Sequence, residues 1–111
     1  MNISKRAVAA VAFAVATFTF MPASALAADE GADLYKAKCA MCHAPDGTGK
    51  PAIKAPSLVS DEAKKKSDAE MTDMIANGGK DKKASHAFSQ KGLTADQIKS
   101  LVAYIRTLQK K

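Results

Sequence analysis

Near the C-terminal end of this 111-residue chain, Ile98, Leu101, Val102, Ile105 and Leu108 recur at spacings of three and four. That period lines them up along one side of a helix, in a stripe that has to be buried. Each such side chain, fully buried, contributes roughly 1.5–3 kcal/mol. Just upstream, Thr94-Ala95-Asp96-Gln97 fits the capping box S/T-x-x-E/Q and fixes where this helix opens. The same pattern recurs at Ser67-Asp68-Ala69-Glu70, ahead of Met71, Met74 and Ile75, and Asn77-Gly78-Gly79 supplies a stop. A further helix is expected over Ala28–Cys39, with Leu34 and Tyr35 apolar and Gly31 one turn earlier. Asp29, Glu30 and Asp33 lie near its start, where negative charge complements the helix dipole. No segment alternates at period two, and Val and Ile are scarce. The chain is expected to be all-α.

Two polar stretches separate these helices. Residues 44–60, APDGTGKPAIKAPSLVS, crowd Pro45, Gly47, Gly49, Pro51 and Pro56 into one loop. A loop that long in a small domain usually wraps something. The second stretch, KDKKASHAFSQKG, covers residues 80–92. There is no internal repeat and no low-complexity region in this part of the chain.

The first 27 residues follow different rules. A basic start (Lys5, Arg6) leads into an apolar run, Ala7 to Phe20, and then into small residues ending Ala25-Leu26-Ala27. This is the layout of a secretory signal peptide cut after Ala27, with a cut after Ala25 as the alternative. The run of 14 residues is shorter than the ~18–20 needed to span hydrocarbon, so no stable membrane insertion is expected after cleavage. Removing 27 residues from 111 leaves 84, a single domain over residues 28–111. A core built of side chains alone is marginal at that size, so a disulfide, metal or cofactor commonly helps. Aromatic residues are few and there is no Trp. The domain keeps 15 basic and 11 acidic side chains, a mild excess that bears on solubility and steering more than on partner choice. Its lysines are not interleaved with aromatics, and nothing points to nucleic acid.

The chemistry concentrates at KCAMCHAPDGTG, where the two cysteines of the chain, Cys39 and Cys42, stand three apart with His43 directly after. On a helical turn such residues share one side. Two thiols can then add across neighbouring vinyl groups of a haem, while the imidazole reaches the iron; Cys-x-x-Cys-His is the c-type haem attachment pattern. Other readings of these residues stay open at this point. A disulfide suits an exported protein but explains neither His43 nor the long loop. A thioredoxin-like pair needs a βαβ setting for which there are no strands. Zinc held by Cys39, Cys42, His43 and His86 would require two adjacent residues to ligate one tetrahedral ion, without the usual finger spacings.

GADLYKAKCAMCHAPDGTGKPAIKAPSLV together with LTADQIKSLVAYIRTLQK resembles a class I cytochrome c of the short bacterial type, over essentially the whole of residues 28–111. The resemblance implies three to four helices around one covalently attached haem c, with the first and last helices crossing. Gly31 and Tyr35 would then pack against Leu101 and Tyr104. It also implies His43 as the proximal iron ligand and a Pro56 carbonyl accepting its Nδ1 proton, which fixes tautomer and orientation.

The family usually offers a methionine before the last helix, and here the sequence departs from it. Aligned on Phe88, the stretch ASHAFSQKG puts Ser85 at that place and His86 one position later. Met41 sits inside the attachment motif, and Met71 and Met74 have helical spacing that reads as packing. His86 is therefore the candidate distal ligand, the alternative being a solvated histidine and an open sixth site. Two axial imidazoles imply a potential lower than a thioether would give. The expected function is a periplasmic electron carrier, a monomer serving redox partner proteins and not an enzyme in its own right. The alternatives are a ligand-binding or sensing haem protein and a cytochrome subunit of a larger redox complex. Lys64, Lys65, Lys66, Lys80, Lys82 and Lys83, interspersed with Asp61, Glu62, Asp68 and Asp81, read as solvated segments rather than a docking face.

Overall fold

The computed structural model describes residues 10–19 and 23–111. Residues 10–19 are exposed and without regular secondary structure, and the remainder of the expected leader before Ala23 lies outside the described residues. No helix among the described residues is long and apolar enough to cross a membrane. Five α-helices follow: α1 (Ala23–Lys38), α2 (Ala40–His43), α3 (Asp61–Lys64), α4 (Asp68–Asn77) and α5 (Ala95–Leu108), with a 3₁₀ turn at Pro51–Ile53. Among the described residues the only strand-like pairing is an isolated bridge between Lys50 and Ala55.

Both capping boxes form. Ser67 Oγ accepts from the Glu70 amide at 3.1 Å while the Glu70 carboxylate accepts from the Ser67 amide at 2.7 Å. Thr94 and Gln97 do the same at 3.1 and 2.9 Å. Each box satisfies two amides that the helix start would otherwise leave without partners. Gly78, in the left-handed conformation, closes α4, with its amide on the Met74 carbonyl and that of Gly79 on Asp73.

Two expectations need correction, the start of α1 and the irregularity of the 44–60 stretch. α1 starts at Ala23 rather than Ala28 and has no acidic side chain in its first turn. The segment ASALAA is rich in the best helix former, so the helix runs back through the expected cut. Asp29, Glu30 and Asp33 thus lie beyond the first turn of this helix. The all-α expectation holds, three longer helices being joined by the four-residue turns α2 and α3, too short to show a period. The 44–60 stretch is not wholly irregular, since Pro51 opens a 3₁₀ turn inside it.

α1 packs mainly on α5, and α4 packs on α5 as well. All five members of the α5 stripe are buried, together with Ser100. The crossing with α1 depends on Gly31: a Cβ there would run into the Ser100 carbonyl and stand 2.9 Å from the Tyr104 Cβ. Gly31 thus meets Tyr104, as expected, and also the Ser100 backbone. Leu101 lies fully buried in the same core as Tyr35. The Tyr35 and Tyr104 rings are tilted at 53° with centres 5.3 Å apart, a favourable edge-on arrangement. This crossing and the α4–α5 packing hold the two loops that reach the site.

Candidate functional site

Cys39 caps α2, and the amides of Cys42 and His43 both bond to its carbonyl, at 3.1 and 2.9 Å. One tight turn thus brings the two cysteines and the histidine together. Both thiols are free; Cys39 is buried and Cys42 exposed. Burial, with the neighbouring Cys42 adding to it, pushes the Cys39 thiol up to about 11.

His43 is buried, and its Nδ1 lies 2.9 Å from the Pro56 carbonyl oxygen. A carbonyl can only accept, so Nδ1 carries the proton and Nε2 keeps its lone pair for a metal. The peptide after His43 is unusual. Ala44 has φ 68° and ψ 157°, a region essentially restricted to glycine. Its carbonyl accepts a 2.7 Å hydrogen bond from the buried Tyr35 hydroxyl. Burial pushes the Tyr35 phenol up to about 12, with Cys39, Tyr104 and Asp46 adding to the effect. On the far side of the turn the Gly49 amide bonds to the His43 carbonyl at 2.8 Å. A Cβ on Gly49 would stand 2.6 Å from the Ala55 oxygen, so the loop can approach this closely only at glycine.

His86 faces this turn from the second loop. Its ring is parallel to that of His43 within 10°, with centres 6.1 Å apart. Face-to-face contact would bring ring atoms to about 3.5–4.0 Å, so a gap separates the pair. A group held between two imidazoles would need such a gap. His86 is half-buried and tilted 54° against the buried Phe88, 6.2 Å away. Its basicity is lowered by burial first, and then by His43, Lys83 and Lys91. Its Nδ1 is buried without a hydrogen-bonding partner.

The residues present fit a c-type haem: two free thiols on one turn, an oriented imidazole, and a second imidazole facing it across a gap. Ser85 is exposed, and its carbonyl accepts from Lys91 Nζ at 3.3 Å. Met41 is exposed, Met71 sits in the core, and the Met74 sulfur packs where a Cβ of Gly79 would lie. Lys64–Lys66, Lys80, Lys82 and Lys83 are exposed. The roles of Tyr35 and Ala44 are absent from the sequence reading. A tyrosine rather than phenylalanine on a buried helix face was the available signal, because a buried hydroxyl usually has a partner.

A search of curated proteins finds no match to this chain. The family model described as cytochrome c oxidase, cbb3-type, subunit III matches residues 26–105. That span takes in the attachment turn, both loops and nearly all of the helices, and the family carries a covalently attached c-type haem. The chain belongs to this family and is a class I cytochrome c, a protein of haem-based electron transfer.

Proposed function

We propose that this chain is an exported, periplasmic one-electron carrier holding one haem c, with Cys39 and Cys42 in thioether linkage and His43 and His86 on the two axial sides. The observation that carries this reading is the near-parallel pair of imidazoles, 6.1 Å apart. When bound, the haem supplies a reversible Fe(II)/Fe(III) couple. The chain's own residues do the rest. The Pro56 carbonyl keeps the proton on Nδ1 of His43, 2.9 Å away, so that Nε2 points its lone pair inward. A second imidazole in place of a thioether lowers the potential relative to methionine-ligated relatives. With both axial positions taken by side chains, no substrate has to reach the iron, and the protein is not an enzyme by itself. Its 1–27 leader directs export and is removed.

The test is a visible spectrum of the exported protein. The ferric form is expected to be low-spin without the long-wavelength sulfur-to-iron band, and His86→Ala to convert it to high-spin. A high-spin native ferric protein would count against His86. A second reading is favoured by the family description, which names an oxidase subunit. In that reading the chain is a cytochrome subunit of a larger complex, and it would copurify with membrane-bound partners at constant ratio.

A further inference from the structure

Away from the facing imidazoles, a second group of polar contacts gathers at the end of α5. Arg106 donates to the Asp68 carboxylate at 2.9 and 2.8 Å, and to the Lys64 and Lys66 carbonyls at 3.4 and 2.5 Å. It also donates to Gln109 Oε1 at 2.8 Å. One side chain thus ties α5 to the end of α3 and the start of α4. A guanidinium only donates, so Gln109 has to turn its oxygen toward Arg106 and its amide nitrogen away. That nitrogen, Nε2, donates to the Leu58 carbonyl at 2.8 Å. Arg106 and Gln109 are both half-buried.

Leu58 stands two residues from Pro56, whose carbonyl oxygen faces Nδ1 of His43 at 2.9 Å. Proline has no N–H, so Pro56 cannot be tied down through an amide of its own. The place of its carbonyl depends on the ties to either side. Upstream, Lys50 and Ala55 pair at 3.0 and 3.1 Å. Downstream, the Leu58 amide bonds to the Gly47 carbonyl at 2.7 Å, and the Leu58 carbonyl takes the Gln109 bond. Of these, only the Gln109 bond reaches out of the 44–60 loop to a long helix. An outer hydrogen bond on a ligating imidazole fixes its orientation and raises its basicity, so whatever places Pro56 also sets the axial ligand.

Resting on His43 as the proximal ligand, and not on His86, we propose that Arg106 and Gln109 are positioning residues for the proximal imidazole. Arg106 fixes the sense of the Gln109 amide, Gln109 holds Leu58, and Leu58 keeps the Pro56 carbonyl on Nδ1 of His43. Both act through the loop and neither touches the imidazole.

The measurement is the exchange of the His43 Nδ1 proton with solvent, followed by NMR in the reduced, exported holoprotein. Gln109→Glu is the deciding variant. Its carboxylate still accepts from Arg106 but has nothing to donate to Leu58, so only the tie to the loop is lost. Exchange of the His43 proton should speed up at least about 5-fold, because an unpaired, part-buried carbonyl favours opening of its loop. Amides across the α1–α5 crossing should keep their rates. Arg106→Lys, which cannot reproduce the guanidinium fork, should shift the same proton in the same direction by less. An unchanged His43 rate in Gln109→Glu overturns the inference, and so does a rise shared equally by all amides, which marks a general loss of stability. Should Gln109→Glu fail to mature, Arg106→Lys decides by the same two outcomes. A high-spin native ferric spectrum together with the expected Gln109→Glu shift would overturn the bis-imidazole reading and keep this one.

Discussion

The two loops that reach the site, 44–60 and 78–93, carry one histidine interface each but are tied down differently. The first is bonded to three helices: Tyr35 of α1 donates to Ala44, Gln109 just past α5 donates to Leu58 at 2.8 Å, and His43 of α2 reaches Pro56. Within it, Gly49 bonds back to His43, Leu58 to Gly47 at 2.7 Å, and Lys50 pairs with Ala55. The second loop is fixed at its ends, by Gly78 and Gly79 on α4 and by Phe88 and Ser89 on Ile75 and Ala76. Between those points its backbone bonds only to itself. Local stability follows such cross-ties, because a segment with few of them opens at low cost. The same fold thus presents one imidazole on a fixed wall and the other on a turn free to move.

The comparison breaks most sharply at glycine. Gly49→Ala places a Cβ 2.6 Å from the Ala55 oxygen and 2.8 Å from the Pro56 carbon, at φ +83°. Every obstructing atom is backbone, so the loop carrying Pro56 has to move. The expected loss is about 3–5 kcal/mol in denaturant unfolding of the holoprotein, from overpacking combined with a disfavoured φ. Gly92→Ala, at φ +96° with no atom within 4 Å, should lose only about 1–2 kcal/mol, the conformational term alone. Equal losses at the two sites would mean that the first loop is no more tightly held than the second.

A smaller effect is expected at Tyr35. Tyr35→Phe removes the 2.7 Å hydrogen bond to Ala44 and strands a carbonyl beside a core position, for about 1–3 kcal/mol. Its pH signature separates it from a packing defect. The phenol ionises at about 10 in an unfolded chain and at about 12 in the fold. A raised acid pKa means that the neutral form is the one favoured in the fold. The stability it contributes is therefore complete below about pH 10 and is lost as pH rises through about 12. Tyr35→Phe should flatten that part of the stability profile; an unchanged slope would assign it to other groups.

How much of this was legible in the sequence depends on whether the signal is local. The Ser67–Glu70 and Thr94–Gln97 boxes and the α5 stripe could be read because each is written within one or two turns. The attachment turn could be read because its chemistry demands a fixed spacing. α2, α3 and the 3₁₀ turn are shorter than any detectable period. In the second loop, which has no period at all, only counting from Phe88 distinguished Ser85 from His86, and the geometry puts His86 against His43. Least legible were the left-handed residues Ala44, Lys54, Lys82 and Ala87. Alanine and lysine give no hint of positive φ, and tertiary ties such as the one from Tyr35 impose it.

The finest test of the contrast lies in two of those alanines, since each follows one of the facing histidines. Ala44, at φ 68° and ψ 157°, occupies a region costing a non-glycine residue about 1–3 kcal/mol. Glycine there removes that strain but adds about 0.5–1 kcal/mol of chain entropy to be lost on folding. Ala44→Gly is therefore expected to stabilise by about 1 kcal/mol while leaving the spectrum unchanged, because Tyr35 and Pro56 still hold the turn. Ala87→Gly starts from a milder conformation at φ 54°, so strain relief and entropy should nearly cancel, within about 0.5 kcal/mol. Its effect should instead appear in the ligand. Lacking cross-ties, His86 should hold its place less firmly, so that Ala87→Gly raises the high-spin fraction of the ferric spectrum. A spectrum that changed with Ala44→Gly rather than Ala87→Gly would place the less firmly held imidazole on the other wall.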